Sequence, residues 1–160
     1  MGTDDVDERF VAALLGEDEL GVVVRAHIHI EAGINAFLDI AVPHPSLLPR
    51  LRYEQRVRLA CALGLHERWF EPLKLLGDIR NRFGHRLDTI LTDAMVSDIC
   101  NALLKTDLEG FMRGVTAALP DVKTMDEFRK LSPKRQFILL AVALDKMLAQ
   151  ARGEFLESRE

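Results

Sequence analysis

Arg80, Asn81, Arg82, His85 and Arg86 crowd one short stretch, LGDIRNRFGHR. Arginine grips phosphate oxygens with paired donors, and histidine moves protons near neutral pH. A neighbouring amide such as Asn81 can orient either one. RNA carries its own nucleophile, the 2′-hydroxyl. Cutting it therefore needs a base, an acid for the leaving oxygen and charge stabilisation, with no metal required in principle. One histidine does not comfortably supply both proton transfers, whereas two copies facing each other across a dimer would. A plainer description competes with this one, because the dipole at a helix C-terminus favours cations of any purpose.

Helix geometry decides whether these side chains can meet. At about 100° per residue, Asn81 and His85 share a face one turn apart. Arg80 and His85 are splayed by about 140° on an unbroken helix. Gly84 is expected to end the helix and let the imidazole fold back toward the Arg80 guanidinium.

The elements that must position this stretch are helical. Strand signals are nearly absent: there is one Tyr and one Trp, and HIHI at 27–30 lies inside a longer helical pattern. A leading helix within residues 1–17 carries Phe10, Val11 and Leu14, with Asp4 or Asp5 as its cap and Gly16 at its end. A long second helix over residues 18–41 has an apolar stripe at Val23, Ala26, Ile30, Ile34, Phe37 and Ala41. VPHPSLLP stops it, because proline cannot continue a helix. A third helix spans 51–63 before Gly64. The fourth runs through LHERWFEPLKLLGDIRNRF, with Pro72 fitting only near its start or kinking it. A fifth begins at Thr92 or Asp93, a short helical piece follows over 109–118, and LPDVKT is a linker. Ser132-Pro133 opens the last helix, whose stripe is Phe137, Leu140, Ala141, Leu144, Leu148, Ala151 and Phe155. The tail ESRE, residues 156–160 with Leu156, is expected to fray. The fold class that results is all-α, an antiparallel helical bundle forming a single domain over 1–160.

Composition narrows the function classes. Of 160 residues, 48% are hydrophobic and 29% charged, ordinary for a folded domain. The formal net charge of −4 gives no general basic field for nucleic acid, so any such contact needs a local patch. PRLRYEQRVR offers Arg50, Arg52, Arg56 and Arg58, which read by themselves as a solvated face of snorkelling arginines. Cys61 and Cys100 lie among apolar residues without a zinc-ligand pattern, so buried free thiols are expected and neither a metal nor a cofactor. No apolar run reaches membrane-spanning length, and the start MGTDDVDERF is acidic where a signal peptide is basic. A cytoplasmic location without membrane contact is the expectation.

The text around the motif adds a resemblance. ALGLHERWFEPLKLLGDIRNRFGHRLDTILTDAMVSDICNAL resembles the mannitol-operon repressor-like branch of the HEPN superfamily. That branch has an acidic, x, hydrophobic, Arg-Asn-x-Phe-small-His block, followed by a Thr/Asp-initiated helix. The likeness extends weakly back to IEAGINAFLDI and covers residues 22–104; the last fifty are uninformative. It implies a HEPN-like helical bundle forming a two-fold homodimer. It also implies that Arg80, Asn81 and His85 are the catalytic set of a metal-independent endoribonuclease formed where two protomers meet.

On that reading Arg80 holds the scissile phosphate, His85 is acid or base, and Asn81 orients or contacts substrate. Arg82 and Arg86 bind flanking phosphates. Glu31 matches the early-helix acidic position, and could hold Arg80 in register or simply be solvated. Phe83 and Gly84 are structural. His27, one turn before Glu31, reads as a partly buried histidine bonded to a carboxylate, while His29 and His44 have no suggestive companions and His66 is a helix-start residue. A toxin, defence or stress role follows, with RNA and a cognate antitoxin or regulatory protein as partners. The alternative is a non-catalytic regulatory dimer of the repressor-like kind, in which the block is an interface knot and protein–protein contacts do the work. A third reading, a binding bundle with no role for the motif, has Arg80 and His85 pointing apart into solvent.

Overall fold

Every element that the computed structural model describes is helix or turn; it covers residues 3–105 and 108–160, with side chains from residue 8 onward. The helices are α1 (Thr3–Leu15), α2 (Glu19–Ala41), α3 (Tyr53–Leu63), α4 (Phe70–His85), α5 (Asp93–Leu104), α6 (Leu108–Ala118), α7 (Met125–Arg129) and α8 (Pro133–Glu157). Asp4 and Asp5 fall inside α1, and their side chains lie outside the described part.

Most starts and stops have a side-chain cause. Asp18 accepts from the Gly21 N–H at 2.7 Å, Thr92 from the Met95 N–H, and Ser132 from the Arg135 N–H, each closing an otherwise unpaired helix donor. At the head of α3 the cap is reversed: the Gln55 side chain reaches back to the Arg52 N–H at 2.9 Å. The α2 stripe is buried throughout, as its spacing requires. Gly64 closes α3 at φ +133°, a conformation that L side chains rarely adopt. A Cβ there would also lie 2.7 Å from a ring carbon of Phe155. Gly64→Ala is expected to destabilise the fold by about 1–3 kcal/mol, read as a lower urea midpoint with an unchanged slope.

The core gathers around α8, which packs on α1, α2, α5 and α6. Phe137 to Leu144 are buried without interruption, so this segment of the helix is apolar on every side rather than along one stripe. Its direction corrects the antiparallel expectation. His29, Gly33, Phe37 and Ile40 of α2 meet Asp145, Leu148, Phe155 and Arg159 in rising order, so α2 and α8 run parallel. A short loop forces reversal; α8 is reached only after α5, α6 and α7, and no short loop constrains it.

Other expectations shift in detail. A single 3-10 turn, Glu67–Trp69, precedes α4, so the helix starts at Phe70 and Pro72 sits in its first turn, where no N–H is missed. Residues 125–129, after the expected linker, form α7, capped by Thr124 with Glu127 reaching back to the Thr124 N–H. The tail is held rather than frayed. α8 continues to Glu157, Ser158 donates to the Phe155 carbonyl, and Arg159 donates to the Ile40 carbonyl at 2.9 Å. Cys100 is buried, but Cys61 only partly so. Burial pushes both thiols up, Cys61 to about 11, which leaves them poor nucleophiles near neutral pH. No described helix is long and apolar enough to cross a membrane.

Candidate functional site

α4 carries the motif at its C-terminal end, where Ile79 and Phe83 enter the core and the polar residues between and after them do not. Arg80, Asn81, Arg82, His85 and Arg86 are all exposed. None of the four charged or titratable members, Arg80, Arg82, His85 and Arg86, forms an ion pair with a described residue. Arg56, Arg58 and Lys74 nearby are all paired.

Gly84 does not end the helix. α4 runs on to His85, and Arg86 turns extended at φ −139°, ψ 123°. The reason lies beyond the glycine: the Thr89 hydroxyl folds back to the Arg82 carbonyl at 3.2 Å, satisfying an acceptor that the helix end leaves open. The helix break expected to turn the imidazole back toward Arg80 is therefore absent. The guanidinium of Arg80 instead lies along its own helix, 4.0 Å from where a Gly84 Cβ would stand, and donates weakly to Asn81 Oδ1 at 3.4 Å.

Two cavities result, and Asn81 lines both. One, of about 770 Å³, lies between α2, α3 and α4 and holds Arg80. The other, of about 610 Å³, lies under the α4–α5 loop and holds His85, Arg82 and Arg86 beside Asp88, Thr89 and Ile90. The Leu91 N–H donates to Glu19 at 2.7 Å, which ties this loop to the start of α2. Within this chain Arg80 and His85 thus line neighbouring but separate cavities.

Glu31 is not the partner of Arg80. It pairs with Arg56 at 3.2 Å, and the same guanidinium nitrogen donates to Asn35 at 3.0 Å while Arg56 Nε donates to the Leu51 carbonyl. Arg56 is therefore a structural tie between α2 and α3 rather than a snorkelling surface residue. His27 is buried, with the Glu31 carboxylate 3.9 Å from Nδ1, in ion-pair range but too far for a hydrogen bond. Its ring lies 4.4 Å from that of Tyr53, whose hydroxyl donates to the Leu73 carbonyl at 2.8 Å. Burial first, then the charges of Glu31 and Asp78, push the Tyr53 hydroxyl far up, so it stays protonated and is no general base.

Burial lowers the His27 pKa below 6.5; Glu31 raises it and the nearby Arg80 charge lowers it further. The unfolded chain then takes the proton first, so stability contributed by neutral His27 is fully present above pH 6.5 and is lost as pH falls through the folded value. Urea midpoints at about pH 7.5 and about pH 5.5 should drop more for the wild type than for His27→Gln. Equal drops would mean that His27 is not held neutral.

The remaining histidines divide. His66 accepts from the Arg68 N–H at a turn start, and His44 precedes the Pro45–Leu47 turn. His29 does have companions: it stacks on Phe10 at 4.0 Å and meets Asp145 at 3.2 Å, joining α1, α2 and α8. No group of three or more metal-ligating side chains occurs among the described residues. Set against protein-family models, curated proteins and solved structures, the chain matches none.

Proposed function

We propose that this chain is a HEPN-type, metal-independent endoribonuclease whose site is completed when two copies meet on α4 in a two-fold homodimer. The observation that carries this reading is the exposed Arg80, Asn81 and His85 on one helix end, with neither Arg80 nor His85 in an ion pair with a described residue. A buried or paired guanidinium would have nothing left for phosphate; this one has its donors available. The separation of Arg80 from His85 in one protomer favours a shared site, because a second α4 brings a second imidazole to the same phosphodiester.

The chemistry then balances simply. One His85 takes the 2′-hydroxyl proton, the 2′-oxygen attacks phosphorus, and the bond to the 5′-oxygen breaks. The other His85 protonates that leaving oxygen, while Arg80 neutralises charge on the non-bridging oxygens and Asn81 positions substrate. The products are a 2′,3′-cyclic phosphate and a 5′-hydroxyl. Arg82 and Arg86 take flanking phosphates, and a toxin, defence or stress role held in check by a partner protein follows from an activity that harms its host.

The test is cleavage of a mixed RNA pool in EDTA, with end-group analysis and the oligomeric state measured in the same buffer. Cyclic-phosphate ends from a dimer are the expected result; an intact pool would sink the reading. A second reading, a non-catalytic regulatory dimer, draws on a different observation. Leu20, Val24 and Ile28 repeat every four residues along α2 and are all exposed, as Leu87 and Ile90 are in the α4–α5 loop. Such apolar surface suits a protein partner.

A further inference from the structure

We propose that the cleft between α2, α3 and α4 is the track for single-stranded RNA beside the bond that is cut, with Arg50 and Arg52 as its outer phosphate contacts. This rests on the reading of the α4 motif as RNA-cleaving, and it gives that site a second half contributed by α3.

The sequence separates the two arginine clusters by a whole helix, but the fold puts them on one cavity. Arg50, Arg52, Arg56, Lys74 and Arg80 all line it, facing Glu31, Glu54 and Asp78. Pairing sorts these charges. Arg56 is taken by Glu31 and Lys74 by Asp78 at 3.3 Å, while Glu54 is turned to Arg58 at 3.0 Å. What remains without an ion-pair partner among the described residues is cationic: Arg50, Arg52 and Arg80. A cleft of net positive charge on a chain of net charge −4 marks a place for an anion rather than a general attraction.

Volume and continuity select which anion. About 770 Å³ lies within the range of pockets that enclose a compact ligand, roughly one or two nucleotides and far less than a duplex. Arg80 and Asn81 belong to both the cleft and the motif, so a strand entering the cleft at Arg80 shares it with Arg52 and Arg50. The floor is fixed: Tyr53 is wedged between His27 and Gly77, where an added Cβ would lie 2.6 Å from the tyrosine ring. Recognition therefore falls to the rim arginines and the backbone phosphates rather than to base stacking.

The test uses His85→Ala protein, so that bound RNA is not consumed, with a fluorescent single-stranded RNA of mixed sequence in EDTA between about 50 and about 200 mM salt. Adding Arg50→Ala and Arg52→Ala should weaken binding by about tenfold or more. It should also make the slope of log K against log salt shallower by about 1.4, the loss of two single-strand phosphate contacts. Arg113→Ala with Arg135→Ala, exposed cations on α6 and α8, should change neither quantity. All four positions are exposed, and thermal melts check that each variant folds. Unchanged binding in the Arg50/Arg52 variant, an equal loss in the control, or no binding at all would overturn the proposal. The two readings fail separately. RNA held by the cleft but never cut by protein with His85 intact would remove the ribonuclease and leave the track. Cutting that ignores Arg50 and Arg52 would do the reverse.

Discussion

His85→Ala is expected to lower RNA cleavage by about 10²–10⁴-fold, the usual contribution of a positioned proton-transfer group. Stability should hardly move, by about 0.5 kcal/mol or less, because the side chain is exposed and forms no ion pair with a described residue. Arg80→Ala should fall comparably in rate, yet through phosphate charge, so Arg80→Lys recovers part of it while His85→Lys recovers none. The proposed dimer makes a sharper demand. If one phosphodiester needs both imidazoles, mixed dimers are dead, and subunit exchange with an equal amount of His85→Ala protein should cut the wild-type activity to about half. If each protomer works by itself, the mixture keeps all of it. Cleavage by the His85→Ala protein at the wild-type rate would end the catalytic assignment outright.

Phe37→Ala is expected to destabilise the fold by about 3–5 kcal/mol, the usual range for removing a buried aromatic ring. Phe37 is 1% exposed and sits on the α2 face turned to α8, with its ring centroid 5.0 Å from that of Phe155. Domains of this size have about 5–15 kcal/mol in total, so the loss would be a large fraction. A thermal midpoint lowered by about 6–20 °C would follow. The Phe155 ring also covers Gly64, so the cavity opens where α3 ends and α8 closes over it. A shift below about 2 °C would show that the α2–α8 seam is not a principal source of stability.

Local chemistry was largely readable from the residues. The α2 stripe, the Gly64 stop, the Thr92 cap and the Ser132-Pro133 start rest on interactions within a turn or two, and a sequence displays those directly. Gly84 was not readable, because glycine permits a helix end without compelling one; Thr89, seven residues from Arg82, settles where the last carbonyls go. Glu31 went to Arg56 rather than Arg80 because helix packing, not spacing, chooses among arginines. The candidate site divided likewise. Arg80, Asn81, Arg82, His85 and Arg86 stood out by type, whereas the meeting of Arg50, Arg52 and Arg80 on one cleft required α3 to be laid against α4. The last helix reads as a single stripe, whereas its run FILLAVAL is buried on every side, and its parallel course beside α2 depends on packing that spacing does not show.

That central last helix bears on synthesis. A ribosome delivers the whole motif, ending at Arg86, well before it delivers Pro133 to Glu157, the segment on which α1, α2, α5 and α6 all close. Until that segment emerges, the apolar faces that α1, α2, α5 and α6 turn toward it have no partner. A message truncated or a chain stalled before residue 133 should therefore yield aggregation-prone material for proteolysis rather than a small active fragment.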